Sequence, residues 1–175
     1  MSHGTEASRT MTAASPPNPN GVTSVQLDAP PPARSKAALG LDGPAAQGRF
    51  ELQVCEECST VQYPPREACV RCLSVQLAWK AQDGRGELIA ETRLHHSLDP
   101  FFRDKLPWRV GLVRLDAGPV VIAHVHGALP HASVRVVLRP TLDAAGHAAL
   151  FAFPERDAPD MNSDRQLREI EGAAE

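Results

Sequence analysis

Four cysteines in two closely spaced pairs place the strongest constraint on how this chain folds. They occur as Cys55-x-x-Cys58 and Cys69-x-x-Cys72, with ten residues between the pairs. Two such pairs can bring four thiolates onto one tetrahedral Zn2+, each pair spanning one edge of the tetrahedron. Protein would then fill all four metal positions. The sequence therefore predicts one structural Zn2+ per chain, with no open position for water or substrate.

The alternative for these cysteines is a redox pair or free buried thiols. The chain starts Met1-Ser2-His3-Gly4-Thr5, without the basic and apolar segments of a secretory signal, so we expect a cytoplasmic location where disulfides are rare. Two C-x-x-C pairs without a flanking βαβ pattern favour zinc over redox chemistry. Zinc turns often carry glycine after the second cysteine, and Ser59 and Leu73 stand there instead.

Composition divides the chain into a tail and a folded part. Residues 1–47 contain no aromatic residue, no isoleucine and no cysteine, but seven prolines. Such a segment cannot bury enough apolar surface to offset its conformational entropy. We therefore predict four regions: a disordered Ala/Pro-rich tail over 1–47, a zinc ribbon over 48–80, a barrel over 81–154, and an acidic tail or short helix over 155–175.

Alternating apolar and polar residues predict a mostly β structure after the cysteines. Five short stretches alternate in this way, and turn signals separate most of them: 87–96, 109–116, 120–126, 133–139 and 148–153. Five short strands in about seventy residues are typical of a small barrel or sandwich. Residues 97–107 do not alternate, and we expect a turn with a short helix or loop there.

In combination, these features resemble a known family. The shared segments are Gly48-Arg49-Phe50-Glu51-Leu52, Tyr63-Pro64-Pro65-Arg66, Gly84-Arg85-Gly86-Glu87-Leu88, Leu106-Pro107-Trp108 and Val113-Arg114-Leu115-Asp116. The chain is similar over about 42–154 to the zinc-ribbon plus OB-fold proteins associated with acyl-CoA metabolism, the domain-of-unknown-function 35 family. The resemblance implies a rubredoxin-like zinc ribbon followed by a five-stranded OB-fold barrel.

The resemblance also implies a role. Members of this family look like accessory subunits of thiolase-type enzymes, which make or cleave carbon–carbon bonds in aromatic, steroid or fatty acyl-CoA thioesters. The expected partner is a thiolase-like catalytic subunit in a hetero-oligomer, with a coenzyme A thioester shared between the subunits. With every cysteine assigned to zinc, no thiol remains to form an acyl-enzyme, so we predict no catalytic residue in this chain.

Two sets of residues are candidates for these contacts. A CoA site needs Arg or Lys beside an apolar groove, and the candidates are Arg66, Arg71, Arg85 and Arg109. Aromatic residues are enriched at interfaces, which makes Phe101, Phe102 and Trp108 candidates for contact with the partner. The alternative for the two phenylalanines is that they close one end of the barrel. His95, His96, His124 and His126 could form a second metal site, or lie as polar residues on exposed strand faces.

The main alternative function is a single-stranded nucleic-acid-binding module, since zinc ribbons and OB-folds both serve that role elsewhere. That mode uses a basic groove and aromatic residues spaced along the strands. Residues 48–80 carry no net charge, and 81–154 carry +1. The predicted strands between 86 and 139 contain no aromatic residue except Trp108 at one edge. We therefore favour the acyl-CoA role, and the absence of a long apolar run counts against a membrane role.

Overall fold

A three-stranded antiparallel sheet carries the cysteines. In this computed structural model, which describes residue 30 and residues 35–131, 133–156 and 163–172, β1 (Glu51–Cys55) lies between β2 (Val61–Gln62) and β3 (Leu77–Ala81). The first cysteine pair begins where β1 ends. The second pair lies in the irregular connection between β2 and β3. The ribbon that the cysteine spacing predicts is therefore confirmed.

The five predicted strands are confirmed, and they close into a barrel. They are β4 (Arg85–Leu94), β5 (Trp108–Leu115), β6 (Val120–Val125), β7 (Val134–Leu142) and β8 (Ala148–Pro154). Their order around the barrel is β4-β5-β6-β8-β7, and β7 pairs with β4 to close it. Only the β6–β8 pairing is parallel among these neighbours. This is the closed five-stranded barrel of an OB-fold.

Two glycines allow the backbones to approach closely where the barrel begins. A Cβ on Gly84, whose φ is +72°, would lie 2.4 Å from the carbonyl oxygen of Leu138. A Cβ on Gly86 would lie 2.4 Å from the carbonyl oxygen of Arg114. Any other residue at these positions would push β7 or β5 away. The Gly84-Arg85-Gly86 sequence is therefore part of barrel closure.

The barrel interior is a continuous apolar core that extends into the ribbon. Alternate residues of the strands are buried in it, including Leu88, Val113, Val121, Val136 and Ala152. Phe50 and Leu52, from the start of the ribbon sheet, are buried in the same cluster. The ribbon and the barrel therefore share one core.

Two helices cover a second apolar cluster on the outside of the barrel. They are α2 (Pro100–Arg103), in the predicted irregular segment, and α3 (Arg165–Glu171). The Asp164 carboxylate caps α3 by accepting a hydrogen bond from Leu167 N at 3.0 Å, and Leu167 and Ile170 are buried against the barrel. Of the two predictions for the C-terminal region, the short helix is therefore the one that forms. It packs on its own chain.

The predicted boundary of the N-terminal tail needs correction. A 3-10 helix (Lys36–Leu41) and α1 (Asp42–Ala46) lie inside the range 1–47 that composition assigned to a disordered tail. Leu41 and Ala45 are buried with Ala148, and the carboxylate of Asp42 accepts a hydrogen bond from Ala148 N at 2.7 Å. An average over 47 residues hides this short helical segment. The rest of the predicted tail, except residue 30, lies outside the described residues.

Candidate metal centre and ligand groove

The four cysteine sulfurs converge at one end of the ribbon. Cys55 Sγ lies 3.5 Å from Cys72 Sγ, Cys58 Sγ lies 3.6 Å from Cys69 Sγ, and all four lie within 4.8 Å of one another. In a tetrahedral site with Zn–S distances of about 2.3 Å, neighbouring sulfurs are about 3.8 Å apart. Both the donor set and its spacing therefore fit a Zn2+ ion held by four thiolates.

The two cysteine turns have the same backbone geometry. Ser59 N donates to Cys55 O at 2.9 Å, and Leu73 N donates to Cys69 O at 3.0 Å. Both residues have left-handed backbones, with φ of +57° at Ser59 and +62° at Leu73. This conformation is the one that glycine adopts most easily. The turns therefore form without glycine, but at two unfavourable backbone positions.

The thiols differ in how readily they ionise. Hydrogen bonds from the hydroxyl and the backbone of Thr60 lower the pKa of the Cys58 thiol to about 6. A backbone hydrogen bond from Ser74 favours the Cys72 thiolate, but the sulfurs of Cys58 and Cys55 outweigh it and raise the pKa of that thiol to about 12. Four thiolates therefore need a cation to coexist, and binding the metal releases protons.

Two buried glutamines connect the ribbon strands to the second cysteine turn. Gln53 Oε1 accepts hydrogen bonds from Gln62 Nε2 at 2.9 Å and from Arg66 N at 2.8 Å, and Gln53 Nε2 donates to Arg66 O at 2.9 Å. Gln62 Oε1 accepts a hydrogen bond from Val70 N at 3.0 Å. These bonds fix the segment that presents the second cysteine pair. Neither glutamine can be singled out from the sequence, because a buried amide has no characteristic spacing along the chain.

A groove of about 860 Å3 lies between the ribbon, the N-terminal helical segment and the barrel. The segment 35–38 and the segment 63–67 form two of its walls, and residues of β5, β6 and β8 form the third. Lys36 and Arg66 supply positive charge along it and Glu67 supplies one carboxylate, while Val110 and Ile122 supply apolar surface. A groove of this size, with a few charged groups beside apolar walls, is suited to a small-molecule ligand. Lys36 was not among the predicted residues because it lies in the region assigned to the tail.

The structure separates the four candidate arginines. Arg66 lines the groove, whereas Arg71 is exposed on the second cysteine turn and Arg85 lies 3.7 Å from the carboxylate of Glu155. Arg109 borders a smaller groove of about 450 Å3. It does not join Arg66 in the larger one.

Arg109 is held by hydrogen bonds within its own chain, and these give no support to its predicted role in CoA binding. Its guanidinium donates to Glu91 Oε1 at 2.6 Å and to the carbonyl oxygens of His126, Gly127 and Leu129 at 3.0–3.2 Å. The hydrogen bond from Arg109 holds the pKa of the Glu91 carboxyl below its usual range. These bonds occupy the donors that a phosphate would need.

The candidate interface aromatics are mostly inside the protein. Trp108 is 1% exposed and Phe101 is 2% exposed, in the cluster that α2 and α3 cover. Side chains buried to this degree in their own chain leave little surface for a second protein, so their burial gives the predicted partner contact no support. Phe102 is half-buried and packs edge-on against both rings.

Among the described residues, the candidates His95, His96, His124 and His126 do not gather into a second metal site. Trp108 Nε1 donates to His124 Nδ1 at 2.9 Å, and the rings of His124 and His126 pack against Phe151 and Phe153. In the part of the chain that the structure describes, no other group of three or more potential ligands converges as the cysteines do. Within the same part, no helix is long and apolar enough to cross a membrane.

Comparisons with known proteins agree with both halves of this fold. The family model for the ChsH2 rubredoxin-like zinc ribbon domain matches residues 43–77, and the model for the ChsH2 C-terminal OB-fold domain matches residues 79–139. A solved structure described as the Ltp2-ChsH2(DUF35) aldolase contains a chain that is 25% identical, with a TM-score of 0.60. The match covers 71% of this chain and 98% of that one. No curated protein matches the chain.

Proposed function

Because the chain belongs to the family that joins a ChsH2-type zinc ribbon to an OB-fold domain, we propose that it is a non-catalytic subunit of a thiolase-type complex acting on acyl-CoA thioesters. The observation that carries the proposal is the likeness of ribbon and barrel together to a chain of the Ltp2-ChsH2(DUF35) aldolase. The name of that structure pairs its ChsH2 chain with a second protein, Ltp2. We extend such a pairing to this chain.

The use of the cysteines supports a non-catalytic role. A thioester enzyme that works through an acyl-enzyme needs a nucleophile with an adjacent base. All four cysteines of the sequence converge on the metal site, where the protein supplies four ligands. A Zn2+ bound there would cross-link the two turns and hold the ribbon folded. The acyl-carrying residue would then belong to the partner.

The larger groove is the proposed place of the shared coenzyme A thioester. Lys36 and Arg66 are suited to pair with its phosphates, while Val110, Ile122 and the Pro64-Pro65 segment can pack against its pantetheine arm. Because the groove is open to solvent, part of a bound thioester would be accessible to the partner. Arg71 and Arg85 do not line it, so the proposal for CoA narrows to Arg66 with Lys36.

The proposal is tested by reconstituting the chain with a candidate thiolase-like protein from the same organism, sought first among the products of neighbouring genes. We expect the two proteins to co-elute, and the catalytic subunit to cleave or form the carbon–carbon bond faster with this chain than without it. The isolated chain should turn over no thioester. Turnover by the isolated chain, or a catalytic subunit that neither binds nor responds to it, would contradict the proposal.

The groove is tested with one charge variant and a matched control. Arg66→Ala should weaken CoA binding to the complex about tenfold, which corresponds to the loss of a charge-assisted contact of roughly 1.4 kcal/mol. Arg114→Ala removes an exposed arginine on the barrel that does not line the groove, and should leave CoA affinity unchanged. Equal affinities for both variants would place the CoA elsewhere.

A further inference from the structure

Three apolar side chains are exposed at the metal-bearing end of the ribbon. Leu73 is 78% exposed, Val75 is 70% exposed and Val70 is 57% exposed. Hydrogen bonds from Cys69 N to Ser74 O and from Leu73 N to Cys69 O fold this loop back on itself. The loop therefore carries all three residues at one end of the ribbon. We call Val70, Leu73 and Val75 the apolar tip.

Leu73 is unfavourable for the isolated fold in two ways. Its φ of +62° is a left-handed conformation that disfavours any side chain with a Cβ. Its side chain is also almost fully in water, so burial within the described part of the chain does not offset the backbone cost. The matching position of the first turn, Ser59, carries a small polar side chain. The folding of the ribbon therefore gives no reason for a leucine at position 73.

We propose that the apolar tip inserts into an apolar socket on the catalytic subunit of the complex. The inference rests on the proposed function and names the surface through which the two proteins bind. Clustered exposed apolar side chains mark interaction surfaces more often than isolated ones do. The tip also lies directly on turns that four metal ligands would hold, so little conformational freedom is lost on docking.

The charges around the tip favour a different protein over a lipid surface or a second copy. Glu56 and Glu57 are exposed on the first turn, and Glu56 N donates to Gln76 O, next to Val75 in sequence. With Arg71 on the second turn, the two turns carry a net charge of −1. An anionic bilayer would repel these carboxylates. A two-fold contact between copies would bring them together.

The complementary partner surface is therefore an apolar socket with a basic rim. Lys or Arg side chains on that rim would pair with Glu56 and Glu57 while the socket buries Leu73. This arrangement places the metal-bearing end of the ribbon against the catalytic subunit.

The test uses a variant that relieves the backbone strain at position 73 and at the same time removes the proposed contact with the partner. Leu73→Gly places the residue with the lowest left-handed cost at this turn, so the thermal midpoint should stay at or above the wild-type value. Its affinity for the purified thiolase-like subunit, measured by calorimetry with the full zinc-loaded chain, should fall at least tenfold. Leu73→Ser, which copies the first turn, should lose affinity to a similar extent.

Two control variants separate docking from general effects. Ser59→Gly relaxes the same backbone geometry in the first turn without removing an apolar side chain, and should bind the partner as the wild type does. Leu98→Ser removes another exposed leucine, far along the chain from the tip, and should also bind normally. Zinc content is measured for every variant, so that a loss of metal is not taken for a loss of contact.

The outcomes distinguish this inference from the proposed function. If the wild-type chain does not bind the thiolase-like subunit, the proposed function fails and the docking surface fails with it. If the wild type binds and Leu73→Gly and Leu73→Ser bind within twofold of it, only the docking surface is overturned. Dimerisation, or binding to phosphatidylserine vesicles, that depends on Leu73 while partner affinity is unchanged would also overturn it.

Discussion

The ribbon and the barrel are both small antiparallel sheets, yet different forces hold their interiors together. Inside the ribbon lie sulfur atoms and the hydrogen-bonded amides of Gln53 and Gln62. Inside the barrel lie aliphatic side chains from five strands that leave no free edge. A segment of about forty residues rarely folds on apolar burial alone, so the ribbon needs a metal where the barrel does not.

The two regions meet at the start of β1, a strand of the ribbon sheet whose first residues pack into the barrel core. Phe50 and Leu52 are buried in the barrel core, while Cys55 at the other end of the strand is a candidate metal ligand. Loss of the metal should therefore release the cysteine turns first and leave the start of β1 anchored.

Removing one metal ligand should break the ribbon while leaving the barrel folded. For Cys69→Ser, we expect zinc content to fall from about one per chain towards zero, because a structural site depends on all four ligands. Amide hydrogen exchange should become fast over residues 56–76 and remain slow in β5 and β6. Ser74→Ala, in the same loop but not a ligand, is the control. Loss of protection across the whole barrel would show that the two regions are not separable.

Removing a large buried ring should destabilise the barrel while leaving zinc binding intact. Phe153 is fully buried in the outer cluster beneath α2 and α3, and Phe153→Ala should reduce the free energy of unfolding by about 3–5 kcal/mol. Zinc content should stay at one per chain, because no ligand changes. Chemical denaturation followed by metal analysis measures both. Phe102→Ala, at a half-buried ring, should cost less.

Breaking the buried ion pair should lower the free energy of unfolding by as much as Phe153→Ala does, or by less. The side chains of Arg109 and Glu91 are 11% and 3% exposed, so Arg109→Met leaves a carboxylate with reduced compensation and should cost about 3 kcal/mol at neutral pH. His131 Nδ1, 2.8 Å from the other oxygen of Glu91, is exposed and offsets part of the loss.

The same variant has a pH signature with a definite sign. Arg109 lowers the pKa of Glu91 in the folded protein, so this contribution to stability is present above the unfolded pKa of about 4.3 and is lost as pH falls through the folded value. The difference between wild type and Arg109→Met should therefore shrink as pH falls below about 4. If the difference in stability between the two proteins stays constant with pH, the loss of the ion pair is not the cause of the destabilisation.

Replacing a buried polar side chain of the ribbon should have the smallest effect on the free energy of unfolding. Gln53→Leu leaves the Arg66 N–H and the Gln62 amide without their partner, which should cost about 1–3 kcal/mol. The loss should appear as weaker zinc retention in chelator competition, since these bonds position the second cysteine pair. Gln82→Leu, at a partly exposed amide outside the ribbon interior, is the control. Unchanged zinc retention would show that the metal alone holds the segment.

Features that local sequence encodes were predictable. The C-x-x-C spacing fixes which residues can meet at one metal, and alternation over five stretches gave each barrel strand to within a few residues. The short helix after Asp99 was predictable as well, because its carboxylate caps the backbone N–H of Phe101. Each of these depends on neighbours within a few positions along the chain.

Features that depend on distant partners were not predictable. Trp108 and Phe101 looked like interface residues because much of what buries them is distant in sequence: their cluster includes Leu167 and Ile170 of α3, about sixty residues further on. Arg109 looked like a phosphate ligand because its acceptors on Glu91 and residues 126–129 come from other elements. The helical segment from 36 to 46 forms where Leu41 and Ala45 can pack on Ala148. A composition average does not contain that contact.

The zinc content of the full chain, purified without added metal, is the most direct measure of what holds the ribbon together. We expect about one Zn2+ per chain, because four sulfurs spaced for a tetrahedral site fill every coordination position. Removing that zinc with a chelator should release the cysteine turns and leave the barrel folded. Substantially less than one zinc per chain, with the ribbon still ordered, would contradict this expectation.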